Sequence, residues 1–99
     1  MRLTDAEQWI LPFIGVGQKN ATRREYLSAV SGLDDRTMRQ GIELLRKEYP
    51  IVNLQNGAGY YLSYDKRELR RYHAQEMSRI KSKIAALRGV RKALEAGRR

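Results

Sequence analysis

The stretch TRREYLSAVSGLDDRTMRQGIELLR, residues 22–46, decides the fold. It holds two helical patterns separated by a turn signal. The first runs from about Arg23 to Ser31 and places Leu27 and Val30 on one face. Thr22 and Glu25 fit a capping box, in which the hydroxyl takes one free amide and the glutamate reaches back to another. Gly32 stands where a left-handed C-terminal cap is required, a backbone that a residue without Cβ adopts freely. Asp34 then caps a second helix that continues to about Lys47, with Met38, Ile42 and Leu45 turned inward at helical spacing.

Toward the N-terminus, Thr4 and Glu7 form another capping signal, and a helix is expected from Asp5 to Ile14 with Trp9, Ile10, Phe13 and Ile14 buried. Pro12 removes one helical hydrogen bond and should kink or shorten it. Gly15 and Gly17 then release the chain into a loop. Toward the C-terminus, Pro50 stops the third helix. Ile51, Val52 and Leu54 suit a strand, residues 56–59 a turn, and Tyr60, Tyr61 and Leu62 the return strand. A hairpin this short is not stable in water and must pack on the helices. Asp65 and Glu68 open a last helical segment that extends to about Glu95, roughly 45 Å if continuous. Gly89 is its expected weak point, at about 1 kcal/mol relative to alanine. The predicted class is mainly α with a small β-hairpin, divided into residues 1–64 and a C-terminal helix over 65–99.

The order helix, helix, tight turn, helix, hairpin resembles the winged helix-turn-helix domain over residues 4–62. Ser31, Gly32, Leu33 and Asp34 match its turn, Arg36 to Arg39 open its recognition helix, and residues 50–62 look like the short wing of biotin-repressor-type and DeoR-type domains. The whole layout is also similar to small phage or prophage helix-turn-helix proteins. The resemblance implies binding to double-stranded DNA, as a transcriptional regulator or a mobile-element accessory protein. A protein-interaction winged helix, such as a phage-encoded inhibitor of a host nucleic-acid enzyme, is the competing expectation.

On the third helix, Arg36, Thr37, Arg39, Gln40 and Glu43 point away from the buried side. Arginine matches guanine O6 and N7, and glutamine matches adenine. Either arginine could hold a phosphate instead, and Arg39 with Glu43 could simply pair along the helix. Lys19, Arg23 and Arg24 lie near the start of the second helix, where free amides favour a phosphate. Gln55 and Asn56 stand at the wing tip. Adjacent Asp34 and Asp35 read as capping rather than acid–base chemistry.

Composition narrows the classes further. The 99 residues carry 20 Lys and Arg against 11 Asp and Glu, a net charge of +9 that favours polyanionic partners. Residues 1–64 contribute only +1, and the remaining +8 belongs to residues 65–99. No cysteine is present, so disulfides, iron–sulfur clusters and thiolate zinc sites are excluded. No nucleophile–base pair or ligand cluster is evident, and neither catalysis nor a cofactor or metal is expected. The N-terminus lacks a signal-peptide pattern and no apolar run reaches about 20 residues, which predicts a cytoplasmic protein without membrane association.

Along the last helix, Leu69, His73, Met77, Ile80, Ile84, Leu87 and Leu94 share one face and approximate heptad spacing from Met77 onward. His73, the only histidine, is expected to pack or sit at an interface. Arg67, Arg70 and Arg71, with Lys81, Arg88 and Lys92, flank that face. The stripe is longer than a domain of this size readily covers, so pairing of two protomers through it is expected, against folding back over its own domain.

Overall fold

In the computed structural model, residues 1–53 and 57–97 are described. The chain runs through α1 (Leu3–Trp9), α2 (Arg24–Ser31), α3 (Asp35–Arg46), β1 (Ile51–Val52), β2 (Tyr61–Leu62), α4 (Lys66–Ala86) and α5 (Arg88–Ala96). It is mainly helical with one two-stranded antiparallel hairpin, in which Ile51 pairs with Leu62 and Val52 with Tyr61. Leu54, Gln55 and Asn56 lie outside the described residues.

The inward side of α3 is the centre of the core. Met38, Ile42 and Leu45 are buried there with Ala6, Ile10, Ile14, Leu27, Ile51 and Tyr60. Asp34 caps α3 as expected, its Oδ1 accepting the Thr37 N–H at 2.8 Å. Hydrogen bonds from Thr37 also hold the Asp34 carboxyl below the usual carboxylate range. Gly32 adopts φ +72° at the end of α2. The turn beside it is tied by serines: Ser28 Oγ donates to the Leu33 carbonyl at 2.5 Å, and Ser31 Oγ accepts the Leu33 N–H at 3.3 Å.

Three expectations about helix starts and faces need correction. The first helix begins earlier, with the Arg2 N–H donating to the Asp5 carboxylate at 2.9 Å, so Thr4 is inside α1 and Glu7 instead accepts the Tyr49 hydroxyl. It also ends at Trp9, because Pro12 diverts the chain into a 3-10 turn over Leu11–Phe13. The face that meets α3 is then Ala6 and Ile10, one helical turn apart. Trp9 and Phe13 are turned out, at 50% and 41% exposure. Thr22 does not cap α2, whose N-cap is Arg23. Its hydroxyl donates to the Phe13 carbonyl at 2.9 Å, and its backbone exchanges two hydrogen bonds with Tyr60, at 2.8 and 2.9 Å. Extended pairing has taken the residue that the capping pattern claimed.

That pairing explains how so small a hairpin persists. The segment before α2 lies along the free edge of β2: Gly17 N–H donates to Leu62 O at 2.9 Å, and Leu62 N–H to Gly15 O at 2.8 Å. Gly59 sits at φ +101°, and a Cβ there would come within 2.4 Å of Thr22 O. Only glycine permits both that backbone and that approach.

The other face of the hairpin carries the start of α4. Asp65 caps it, accepting N–H groups of Arg67 at 2.8 Å and Glu68 at 3.4 Å. Glu68 does not reach back to the Asp65 N–H, as a capping box would require. Its carboxylate takes the Tyr61 hydroxyl at 2.5 Å and the Ser63 hydroxyl at 2.9 Å, while Ser63 Oγ accepts the Asp65 N–H. Leu69 and Tyr72 pack on buried Val52 and Tyr61. No residue of α4 or α5 is fully buried, and every described residue from Met77 onward is exposed. The helical run is interrupted at Leu87 rather than Gly89. There the Leu87 N–H is shared between the Lys83 and Ile84 carbonyls, at 3.2 Å each, before helix resumes with Arg91 N–H to Leu87 O at 3.0 Å. The molecule measures 55 × 31 × 22 Å, with α4 and α5 forming an arm.

Candidate nucleic-acid interface

The outer side of α3 follows directly from its buried side. With Met38, Ile42 and Leu45 inward, Arg36, Arg39, Gln40 and Glu43 are exposed and Thr37 is half-buried. Arg36, Arg39, Gln40 and Glu43 line a shallow, open groove of about 300 Å³ together with the Tyr60 ring of the hairpin. A second concavity of about 350 Å³ is lined by Arg23, Arg24, Glu25, Asn53, Gly57, Gly59 and, again, Tyr60. Tyr60 therefore joins two basic recesses, one facing α3 and one facing the start of α2. Arg23 provides no side-chain cap, so its helix end presents free amides beside Arg24.

Charge within these recesses is partly neutralised. Asp35 pairs with Arg24 through one oxygen and with Arg39 through the other, each at 3.0 Å. The alternative Arg39–Glu43 pair that the helical spacing allows is not formed. Glu43 instead meets Arg46 at 3.0 Å. These groups are about half exposed or more except Arg46, so each pair contributes about 0–1 kcal/mol and a phosphate could displace it. Arg36 makes no ion pair among the described residues.

Other expected interface residues lie elsewhere. Lys19 is exposed in the turn over Gln18–Asn20 and lines neither recess. Arg67, Arg70 and Arg71 are exposed on the first turns of α4 and likewise line neither. Gln55 and Asn56, expected at the hairpin tip, fall outside the described residues. Tyr60 and Asn53 are not legible in the sequence as site residues, since only the fold carries them beside α2 and α3. Arg46 is a further such residue. Its guanidinium lies 5.4 Å from the Tyr60 ring centre and 5.5 Å from that of Tyr72, tying α3 to the hairpin and to α4.

The apolar stripe of the last helical segment is reduced at its start. Leu69 is taken up by the hairpin, and His73 is exposed. Met77, Ile80, Ile84, Leu87 and Leu94 remain exposed at 38–67%, joined by Val90 at 55%, so this part does not fold back over the domain. Comparison with protein-family models, curated proteins and solved structures finds no match to this chain. Among the described residues, no helix is long and apolar enough to cross a membrane, and no group of three potential metal-binding side chains occurs.

Proposed function

We propose that residues 1–64 form a winged helix-turn-helix unit that binds double-stranded DNA, as a regulator of transcription or an accessory protein of a phage or other mobile element. The observation that carries this reading is the outward row Arg36, Arg39, Gln40 and Glu43 on α3, set in one groove with the hairpin residue Tyr60. Side chains near the start of a helix that follows a tight helix–turn–helix corner are those that reach base edges in the major groove. Arg36 and Gln40 lie one turn apart on that row and have the donor pattern for guanine and adenine respectively. Arg23, Arg24 and the free amides of α2 would hold phosphate alongside.

The test is fluorescence anisotropy with a random duplex and with duplexes recovered by selection. Arg36→Ala combined with Arg39→Ala should weaken binding to the selected duplex by about tenfold or more, the worth of one bidentate arginine–guanine pairing. Unchanged affinity would remove α3 from the interface. A protein-binding role for the same unit is favoured by one observation: residues 1–64 carry a net charge of only +1. Under that reading, the selected and random duplexes bind alike and no sequence is enriched.

A further inference from the structure

The arm beyond Glu76 has a face that the domain leaves uncovered, and its layout specifies what covers it. Met77, Ile80, Ile84, Leu87, Arg91 and Leu94 follow one another at alternating steps of three and four residues. That is the narrow seam of a coiled coil, with Met77, Ile84 and Arg91 at one core position and Ile80, Leu87 and Leu94 at the other. One edge of the seam carries Lys81, Arg88 and, at its far end, Glu95; the other carries Glu76, Lys83 and Val90, so the central stretch between them is basic. Arg91 stands within the seam between Leu87 and Leu94 and has no ion pair among the described residues.

We infer that this arm docks an amphipathic helix of another protein, one with aliphatic residues along its seam and carboxylates on its borders opposite Lys81, Lys83 and Arg88. A second copy of the chain fits poorly. Paired in parallel, two copies place Lys83 against Arg88 on both sides and Arg91 against Arg91 in the core. The compensating Glu76–Lys81 approach draws on a carboxylate already engaged by Arg79 at 3.0 Å. Paired antiparallel with the seams in full overlap, Lys81 of one copy meets Arg88 of the other, twice. Like charges at these border positions oppose association and select against the self-pair. An anionic bilayer fits poorly as well. An interfacial helix uses an apolar face rich in Trp or Phe, whereas this seam lacks both and carries a cation within it. A partner carboxylate opposite Arg91 satisfies the one polar group in the seam, and acidic borders answer Lys81, Lys83 and Arg88. The inference is independent of whether α3 reads DNA.

The full-length chain supplies the test, with a synthetic heptad helix as probe: leucine and isoleucine along the seam, glutamate at both borders, and one glutamate opposite Arg91. Calorimetric titration should show one-to-one binding that weakens as salt is raised. Affinity should fall by at least about tenfold when the border glutamates of the probe are lysines. Ile84→Asp and Leu87→Asp change exposed residues outside the core, so the domain's melting transition should be retained while probe binding is abolished. Sedimentation of the chain alone should give a monomer at tens of micromolar. A dimer abolished by Ile84→Asp would overturn the inference in favour of a second copy. Binding to phosphatidylserine vesicles without binding to the acidic probe would overturn it in favour of a membrane, and absence of any probe binding would overturn it outright.

Discussion

A glycine inside a helix normally costs about 1 kcal/mol relative to alanine, so Gly41 in the middle of α3 demands a reason. A Cβ there would lie 2.2 Å from Ile10 Cδ1 and 2.9 Å from Met1 Sδ. Ile10 is fully buried, so a side chain at this position would force the core to repack, and the glycine lets α1 lie this close to α3. Tyr61 presents the complementary case of a polar group held inside. Burial first, and the hydrogen bond to Glu68 second, push its phenol up to about 12. The folded chain therefore holds this proton more tightly than the unfolded chain, whose tyrosines titrate near 10. The resulting stabilisation is complete below about pH 10 and is lost as pH rises through about 12. Urea unfolding between pH 8 and 11.5 should show the wild type losing stability relative to Tyr61→Phe above pH 10, with a constant difference below it. At neutral pH that substitution should cost about 1 kcal/mol, the net worth of one hydrogen bond. A pH-independent difference across the whole range would mean that Tyr61 ionises without consequence for the fold.

Among elements, α3 acts as the hub, and Arg46 near its end is the connection that matters most for placing the groove. The guanidinium lies between Tyr60 and Tyr72, and its Nε donates to the Ile51 carbonyl at 3.4 Å. Arg46→Met keeps the aliphatic stem and removes the cation. It should lower stability by about 1–2 kcal/mol in thermal melts and speed hydrogen exchange in the first turns of α4. Arg46→Lys should recover less than half of that loss, because an ammonium cannot lie flat between two rings. Full recovery by lysine would reduce the interaction to simple charge. The elements themselves are readable from sequence wherever a local signal has no competitor. The inward side of α3, the Asp34 and Asp65 caps and the left-handed Gly32 all depend on near neighbours in the chain. Signals fail where a distant segment claims the same group. Thr22 reads as a cap until Tyr60 pairs with its backbone, and Glu7 reads as one until Tyr49 reaches it. Trp9 and Phe13 read as core when one helix is extended to Ile14, whereas the inward pair is Ala6 and Ile10 and the chain leaves the helix after Trp9. In the groove, the α3 row is legible for the same local reason. Tyr60 is not, since its place beside Arg36 and Arg24 arises only from the tertiary fold.

Across the whole molecule, shape and charge are divided between two parts. The domain has a near-neutral surface and a defined groove, whereas residues 77–99 hold eight Lys and Arg against one Glu. Removing those residues tests that division, because the described part of the segment contributes nothing buried. A chain ending at Glu76 should melt at the same temperature as the full chain, since Leu69 and Tyr72 remain on the hairpin. Its affinity for a random duplex at low salt should drop, and the slope of log affinity against log salt should shrink by about one unit for each phosphate that the arm had neutralised. If α3 reads bases as proposed, the preference for a selected duplex over a random one should persist, because the α3 row is untouched. Loss of that preference together with the arm would move sequence recognition from α3 to the C-terminal segment. An acidic helix seated on the seam at Ile84 and Leu87 would neutralise the same lysines and arginines without removing them. The acidic probe should therefore lower the salt slope of the full chain as truncation does, and leave the salt slope of the truncated chain unchanged.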